Sequence, residues 1–131
     1  MGEEELIRNL FKLFKNPPNY GEIENADIVL EEKDYSCGDR VKMYFKIEDA
    51  KIIEAKFTSE ACLFCNASAS VLLDLVKNKT IEEALRIKEE EILKLFKTDS
   101  KSPRHRCIML PLRALKKALG EFKTKGFPQT S

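Results

Sequence analysis

Polar and apolar side chains alternate most clearly over residues 40–48, which indicates a strand with one buried face. Segments 26–33 and 51–58 have the composition of two further strands, and Asp49-Ala50 predicts a tight turn between the second strand and the third. Short connections of this kind join neighbouring antiparallel strands. We therefore expect a three-stranded antiparallel meander, whose central strand buries Val41, Met43, Phe45 and Ile47.

Helical patterns precede and follow these strands. Residues 3–15 carry an apolar stripe opposite charged positions, which predicts an N-terminal helix that ends at the proline- and glycine-containing segment 16–21. Residues 62–77 are nearly all small or apolar, which predicts a largely buried helix. Thr80 starts a capping-box sequence for a short helix, and residues 89–96 predict another.

The last helical pattern covers residues 107–119, with Pro111 expected either in its first turn or at a kink. Residues 121–131 are expected to form a frayed tail. The element order predicts one α+β domain over residues 1–131: an N-terminal helix, a three-stranded antiparallel sheet, and then about four helices packed on one face. A metal site is expected at one end of this domain.

Composition and charge narrow the range of functions. The chain has 131 residues, is 43% apolar and 34% charged, and carries a net charge of +1. This balance favours neither nucleic acid nor an anionic membrane as a partner, and no apolar run approaches the ~20 residues that span a bilayer. The acidic N-terminus lacks the features of a signal peptide, so we expect a cytoplasmic protein. Cysteines in a reducing compartment favour metal or thiol chemistry over disulfides.

Four cysteines stand at positions where thiolates would be useful: Cys37, Cys62, Cys65 and Cys107. Cys37 lies in a predicted turn two residues before Asp39, Cys62 lies at the start of the buried helix, and Cys107 lies at the mouth of the last helix. Ligands from three loops at one end of the sheet would form a surface site for zinc or an iron–sulfur cluster, with Asp39 as a harder fourth ligand. Cys65 is either a spare ligand or a packing residue. His105 and Arg106 are auxiliary candidates.

Four motifs resemble those of the IscU/SufU family of iron–sulfur cluster assembly scaffolds, which is similar to the N-terminal domain of NifU. They are, in chain order, Asn16-Pro17-Pro18-Asn19-Tyr20-Gly21, Cys37-Gly38-Asp39, Cys62 with the following Ala67-Ser68-Ala69-Ser70, and Arg106-Cys107-Ile108-Met109-Leu110-Pro111. The match is collinear over roughly residues 3–120. The combination is specific, whereas a single Cys-x-x-Cys pair is not.

The resemblance implies a role for each matched residue. Cys37, Asp39, Cys62 and Cys107 would bind a transient [2Fe–2S] cluster, or zinc as an alternative occupant. Cys107 would accept sulfur from a cysteine desulfurase. The protein would be a scaffold and carrier rather than an enzyme, would pass its cluster to apo-proteins, and would be a monomer or a weak homo-oligomer.

Three departures from the family pattern bear on the branch and on its partners. Arg106 stands where the IscU branch has His, and a basic residue there resembles the SufU branch. The loop 99–103 is too short for the insertion usual in that branch, and Ser100–Arg104 replaces the segment that dedicated chaperones bind.

Alternatives to the scaffold function are a zinc-dependent sulfurtransferase, a thiol oxidoreductase that uses Cys62 and Cys65, and a structural zinc domain.

Overall fold

The computed structural model describes Glu5, Arg8, residues 17–36 and residues 38–124. The helix predicted over residues 3–15 lies outside the described residues apart from Glu5 and Arg8. Cys37 and residues 125–131 lie outside them as well.

The sheet has the predicted topology. Strands β1 (Ile28–Lys33), β2 (Arg40–Glu48) and β3 (Lys51–Glu60) pair antiparallel in the order β1-β2-β3. Asp49 and Ala50 join β2 to β3 and both have positive φ, 53° and 62°. Two successive residues with positive φ form the type of turn whose twist matches that of a hairpin. The three-stranded meander is therefore confirmed.

One face of the sheet forms the floor of the core. Val41, Met43 and Phe45 are fully buried on β2, and the register places Phe57 of β3 opposite Met43. A bulge near Ile47 pairs that residue with Ile52, so Ile52 is buried in the core while its neighbour Ile53 is exposed.

Four described helices follow the sheet, as the sequence predicts. They are α1 (Leu63–Val76), α2 (Ile81–Leu85), α3 (Glu89–Leu95) and α4 (His105–Thr124). The two long helices, α1 and α4, pack against each other and against the sheet. Thr80 caps α2 in a capping box with Glu83, as expected. No described helix combines the length and the hydrophobicity needed to cross a membrane.

The last helix is longer than the prediction of residues 107–119. It begins at His105, whose N–H bonds to the carbonyl of Ser102 (3.0 Å). Pro111 therefore lies inside the helix, which excludes the first turn as its place and leaves the other expectation, a kink. The apolar stripe continues as far as Phe122, which packs against the core. Residues 121–124, predicted to belong to a frayed tail, are helical for this reason.

Candidate metal centre

Three chain segments meet at one edge of the sheet. Antiparallel pairing brings the end of β1, the start of β2 and the end of β3 together, with Lys33 opposite Arg40 and Arg40 opposite Glu60. Asp39 immediately precedes β2, and Cys62 lies just beyond β3. The start of α4 reaches the same edge and carries Cys107.

Asp39, Cys62 and Cys107 form the candidate site. Their ligand atoms, one carboxylate oxygen and two sulfurs, all lie within 4.8 Å of one another. Oδ2 of Asp39 accepts a hydrogen bond from the Cys62 N–H (3.4 Å) and another from the Cys107 thiol (3.6 Å). All three residues are partly exposed, so a metal or a partner protein can reach them. Cys37, the fourth predicted ligand, lies outside the described residues.

The backbone explains how each of the two described cysteines is presented. Cys62 is the N-cap of α1 and has extended dihedral angles, while its carbonyl accepts the first helical hydrogen bond from Asn66 (3.0 Å). Cys107 lies in the first turn of α4. The hydroxyl of Ser68, on α1, donates to the carbonyl of Ile108 (2.6 Å) and so joins the two helices beside the site.

The loop between β1 and β2 owes its shape to Asp34. Asp34 is 2% exposed, and its carboxylate accepts hydrogen bonds from the N–H (3.0 Å) and the hydroxyl (2.6 Å) of Ser36. The backbone N–H of Asp34 donates to the carbonyl of Asp39, and its carbonyl accepts from Gly38, both at 2.8 Å. Gly38 has a φ of 81°, which explains a glycine between the two predicted ligands of the Cys-Gly-Asp motif.

Asp34 is charged throughout the neutral range. The hydroxyl and N–H of Ser36, together with the guanidinium of Arg106, hold the pKa of Asp34 at about 2, below its ordinary value of 3.8. These interactions outweigh the burial of the carboxylate, which acts in the opposite direction.

The three auxiliary candidates are not among the residues that the site brings together. Cys65 is fully buried within α1. Arg106 points to Asp34, with Nε 3.3 Å from the carboxylate. Nε2 of His105 lies 3.5 Å from a carboxylate oxygen of Glu89 at the start of α3.

Sequence reasoning missed a set of charges beside the site. Asp34 and Glu32 lie at the end of β1, where three cations of α4 approach them: Arg106, Arg113 and Lys117. Their spacing of seven and four residues places the cations on one stripe of the helix. The Asp-x-Ser spacing of residues 34–36, typical of a side-chain-stabilised turn, was the available signal for Asp34.

The donor set matches a restricted range of metals. Thiolates favour zinc and iron–sulfur clusters, while a carboxylate is a harder ligand that both can accept. Two sulfurs and one oxygen at a partly exposed edge therefore suit a group that is loaded and removed.

Known proteins resemble this chain in sequence and in structure. The NifU-like N terminal domain family matches residues 6–129. The iron-sulfur cluster assembly scaffold protein IscU 1 of Archaeoglobus fulgidus is 34% identical over 116 residues, covering 88% of this chain and 75% of the relative. The zinc-dependent sulfurtransferase SufU of Bacillus subtilis is 39% identical over 72 residues, covering 55% of this chain and 48% of the relative.

A solved structure extends the likeness to the fold. The protein from Fervidobacterium islandicum described as an iron-sulfur cluster assembly scaffold for the SUF system has a TM-score of 0.75 and 29% identity. The match covers 90% of this chain and 99% of that chain.

Proposed function

Because the chain belongs to the NifU-like N terminal domain family, we propose that it is a single-domain scaffold for iron–sulfur cluster assembly. It receives sulfur from a cysteine desulfurase, assembles a labile [2Fe–2S] cluster and transfers the cluster to apo-proteins. The observation that carries the proposal is the meeting of Asp39, Cys62 and Cys107 from three separate segments within 4.8 Å. Relatives named as scaffolds support it.

Four residues bind the cluster in this proposal: Cys37, Asp39, Cys62 and Cys107. The mutual distances of the three described residues support it. The position of Cys37, two residues before Asp39 in the chain, supports its inclusion. A cluster held by three thiolates and one carboxylate is bound less firmly than one held by four thiolates. That weakness suits a carrier that gives up its cargo, and not an enzyme that retains a cofactor.

Cys107 is the proposed sulfur acceptor. Its thiolate attacks the terminal sulfur of the desulfurase persulfide, which forms a new S–S bond on Cys107 and breaks the S–S bond of the donor. The desulfurase leaves as a thiolate. Release of two such sulfurs as sulfide takes four electrons. Two come from the two Fe²⁺ ions, which become Fe³⁺ in the oxidised [2Fe–2S] cluster, and two come from an external thiol or ferredoxin reductant. Partial exposure of Cys107 supports access for the donor.

The cellular setting follows from the same chemistry. Free thiolates persist in a reducing compartment, and we therefore place the protein in the cytoplasm. Its partners are a cysteine desulfurase and the apo-proteins that receive the cluster.

The experiment is an anaerobic reconstitution of the full chain with ferrous iron, cysteine, a reductant and a cysteine desulfurase. We expect the visible charge-transfer bands of a [2Fe–2S] centre, followed by their loss when an apo-ferredoxin that gains them is added. The matched control is the variant Cys65→Ala, which removes a thiol that lies outside the proposed ligand set. Absence of the bands from the native chain would contradict the proposal. A loss of band intensity in Cys65→Ala as large as that in Cys62→Ser would contradict it as well.

A zinc-dependent sulfurtransferase is the second candidate. The likeness to a protein of that name in Bacillus subtilis favours it, as does the basic residue Arg106 before the last cysteine. The same four residues would hold zinc until a desulfurase docks and one cysteine is released to accept sulfur. Retained zinc, no cluster bands and faster desulfurase turnover would together identify this function.

A further inference from the structure

The buried carboxylate of Asp34 has no part in the proposed ligand set. Among the buried polar residues of the described chain, Asp34 is the one with an acidic side chain. Its carboxylate oxygens accept hydrogen bonds from Ser36 and Arg106. A buried charge is costly unless partners satisfy it. The role of Asp34 beside the candidate site therefore follows from the chain segments that its partners join.

We propose that the ion pair of Arg106 with Asp34 is a clasp that holds the β1–β2 loop against α4 and sets the rate at which the site releases its metal cargo. This inference rests on the proposed function and assigns Arg106 a positioning role. Arg106 is not itself a metal ligand, because its guanidinium stays protonated and has no free lone pair.

The first argument is the arrangement of the two contacts. Arg106 is adjacent to Cys107 in the chain. The backbone N–H of Asp34 donates to the backbone carbonyl of Asp39 (2.8 Å). The ion pair therefore joins the same two segments, the β1–β2 loop and α4, as the contact between Asp39 Oδ2 and the Cys107 sulfur (3.6 Å). When the clasp opens, the carboxylate of Asp39 and the sulfur of Cys107 lose a restraint on their separation.

The second argument is how the hydrogen bonds to Asp34 are shared. Ser36 supplies two of them from within the same loop, whereas Arg106 supplies the one that reaches α4 (3.3 Å). Arg113 lies farther away, with Nη2 3.9 Å from the carboxylate. Loss of Arg106 therefore leaves the loop folded on itself and weakens its attachment to the helix.

The third argument is the asymmetry of exposure. The side chain of Asp34 is 1% exposed, while that of Arg106 is 65% exposed. The arginine can swing into solvent without opening the core, so the clasp can open and close in the folded protein. A fully buried pair could separate only with local unfolding.

The test compares variants at two neighbouring arginines. Arg106→Gln removes the clasp. Arg104→Gln is the matched control, because it changes the net charge by the same amount at a guanidinium that lies over the ring of Phe64 (4.4 Å to its centre). Each full chain is loaded with one equivalent of Zn²⁺, and release to an excess of a chromogenic chelator is timed at neutral pH. We expect release roughly tenfold faster from Arg106→Gln, the low end of the effect of groups that orient metal ligands. Arg104→Gln should stay within about twofold of native.

Three further measurements separate positioning from general stability. Arg106→Lys keeps the charge and should restore most of the native release rate. Co²⁺ in place of Zn²⁺ should show d–d bands in Arg106→Gln that differ from native, because the geometry at Asp39 changes. In an Asp34→Asn background, Arg106→Gln should have no added effect, since the clasp is already broken.

Several outcomes would overturn the clasp. Native release rates in Arg106→Gln would do so, as would equal acceleration in the two glutamine variants, or a lower melting temperature with unchanged zinc release and Co²⁺ bands. A native chain that binds neither zinc nor a cluster would overturn both the clasp and the proposed function. A native chain that assembles and transfers a cluster, but shows no effect at Arg106, would overturn the clasp alone.

Discussion

Asp39 combines two tasks that usually fall to different residues. Its backbone carbonyl closes the β1–β2 loop through Asp34, and its carboxylate contacts the backbone of Cys62 and the thiol of Cys107. A short side chain next to a strand has few rotamers, so its oxygen is held close to both cysteines. A hard ligand in this position is what makes the proposed shell labile.

Replacement of that ligand gives a direct prediction at the residue scale. Asp39→Cys would convert the proposed shell to four thiolates, and we expect transfer of the cluster to an apo-ferredoxin to slow by roughly tenfold. The measurement is the half-time of transfer, followed by visible circular dichroism. Asp39→Asn, which keeps the shape and loses the charge, should not slow transfer. An Asp39→Cys variant that transfers at the native rate would exclude Asp39 from the shell.

The residue scale also shows where sequence reasoning was sufficient. Asp39, Cys62 and Cys107 were predicted to meet, and the described structure brings them together. Asp34 was not predicted, because a lone acidic residue after a strand has the appearance of a solvated turn. Only its burial and its partner 72 positions away distinguish it.

At the scale of elements, a single asparagine joins the loop before the sheet to α1. Nδ2 of Asn19 donates to the carbonyl of Ser70 (3.1 Å) and to Asp74 (3.0 Å). The backbone of the same loop pairs with the edge of β3, where Phe57 donates to the Asn19 carbonyl (2.9 Å). The described part of the Asn-Pro-Pro-Asn-Tyr-Gly motif, residues 17–21, therefore has a structural role: it attaches β3 to α1.

The two serines of α1 give a prediction at this scale. Ser68 bonds to the Ile108 carbonyl in a buried setting, whereas Ser70 bonds to the carbonyl of Pro18 in a partly exposed one. We expect Ser68→Ala to lower the free energy of unfolding by about 1 kcal/mol, because a buried acceptor loses a donor that water cannot replace.

Ser70→Ala is the matched control for this change. It should cost less, since water can reach the carbonyl of Pro18. Urea unfolding of both variants, with the metal removed, measures the difference. Equal costs would contradict the assignment of the larger effect to burial.

At the scale of the whole molecule, the candidate site is a consequence of topology. Antiparallel pairing places the end of β1, the start of β2 and the end of β3 at one edge, and α4 begins at the same edge and packs across the sheet. Asp39 and Cys62 flank regular elements and Cys107 lies in the first turn of α4, so the candidate site rests on rigid supports. A bound metal would in turn tie β2, β3 and α4 together.

This coupling predicts that metal binding stabilises the whole domain. Free Zn²⁺ at 100 times its dissociation constant should raise the free energy of unfolding by about 2.7 kcal/mol, provided that the unfolded chain binds it weakly. Cys62→Ser should abolish the increment. Cys65→Ala should keep it, although the loss of a buried side chain lowers the starting stability. Thermal unfolding with and without Zn²⁺ measures both, and an increment that survives in Cys62→Ser would contradict the site.

The sequence by itself determined the kinds of element and supplied the soft donors of the candidate site. Alternation and turn residues specified the meander, and the capping box specified the start of α2, because these signals are local. The soft donors were equally visible, since few residue types provide them. The end of α4 was predicted too early, because the packing of Phe122 against the core involves residues that are distant in the chain.

Only the tertiary structure decided how the charges around the site are used. Arg106 faces Asp34 and His105 faces Glu89, and neither direction follows from their spacing to Cys107. The position of Cys65 inside the core, and not among the described site residues, was also settled by packing. The physical reason is the same in each case: a side chain's direction depends on the partners that the fold brings near it, and those partners lie far away in the chain.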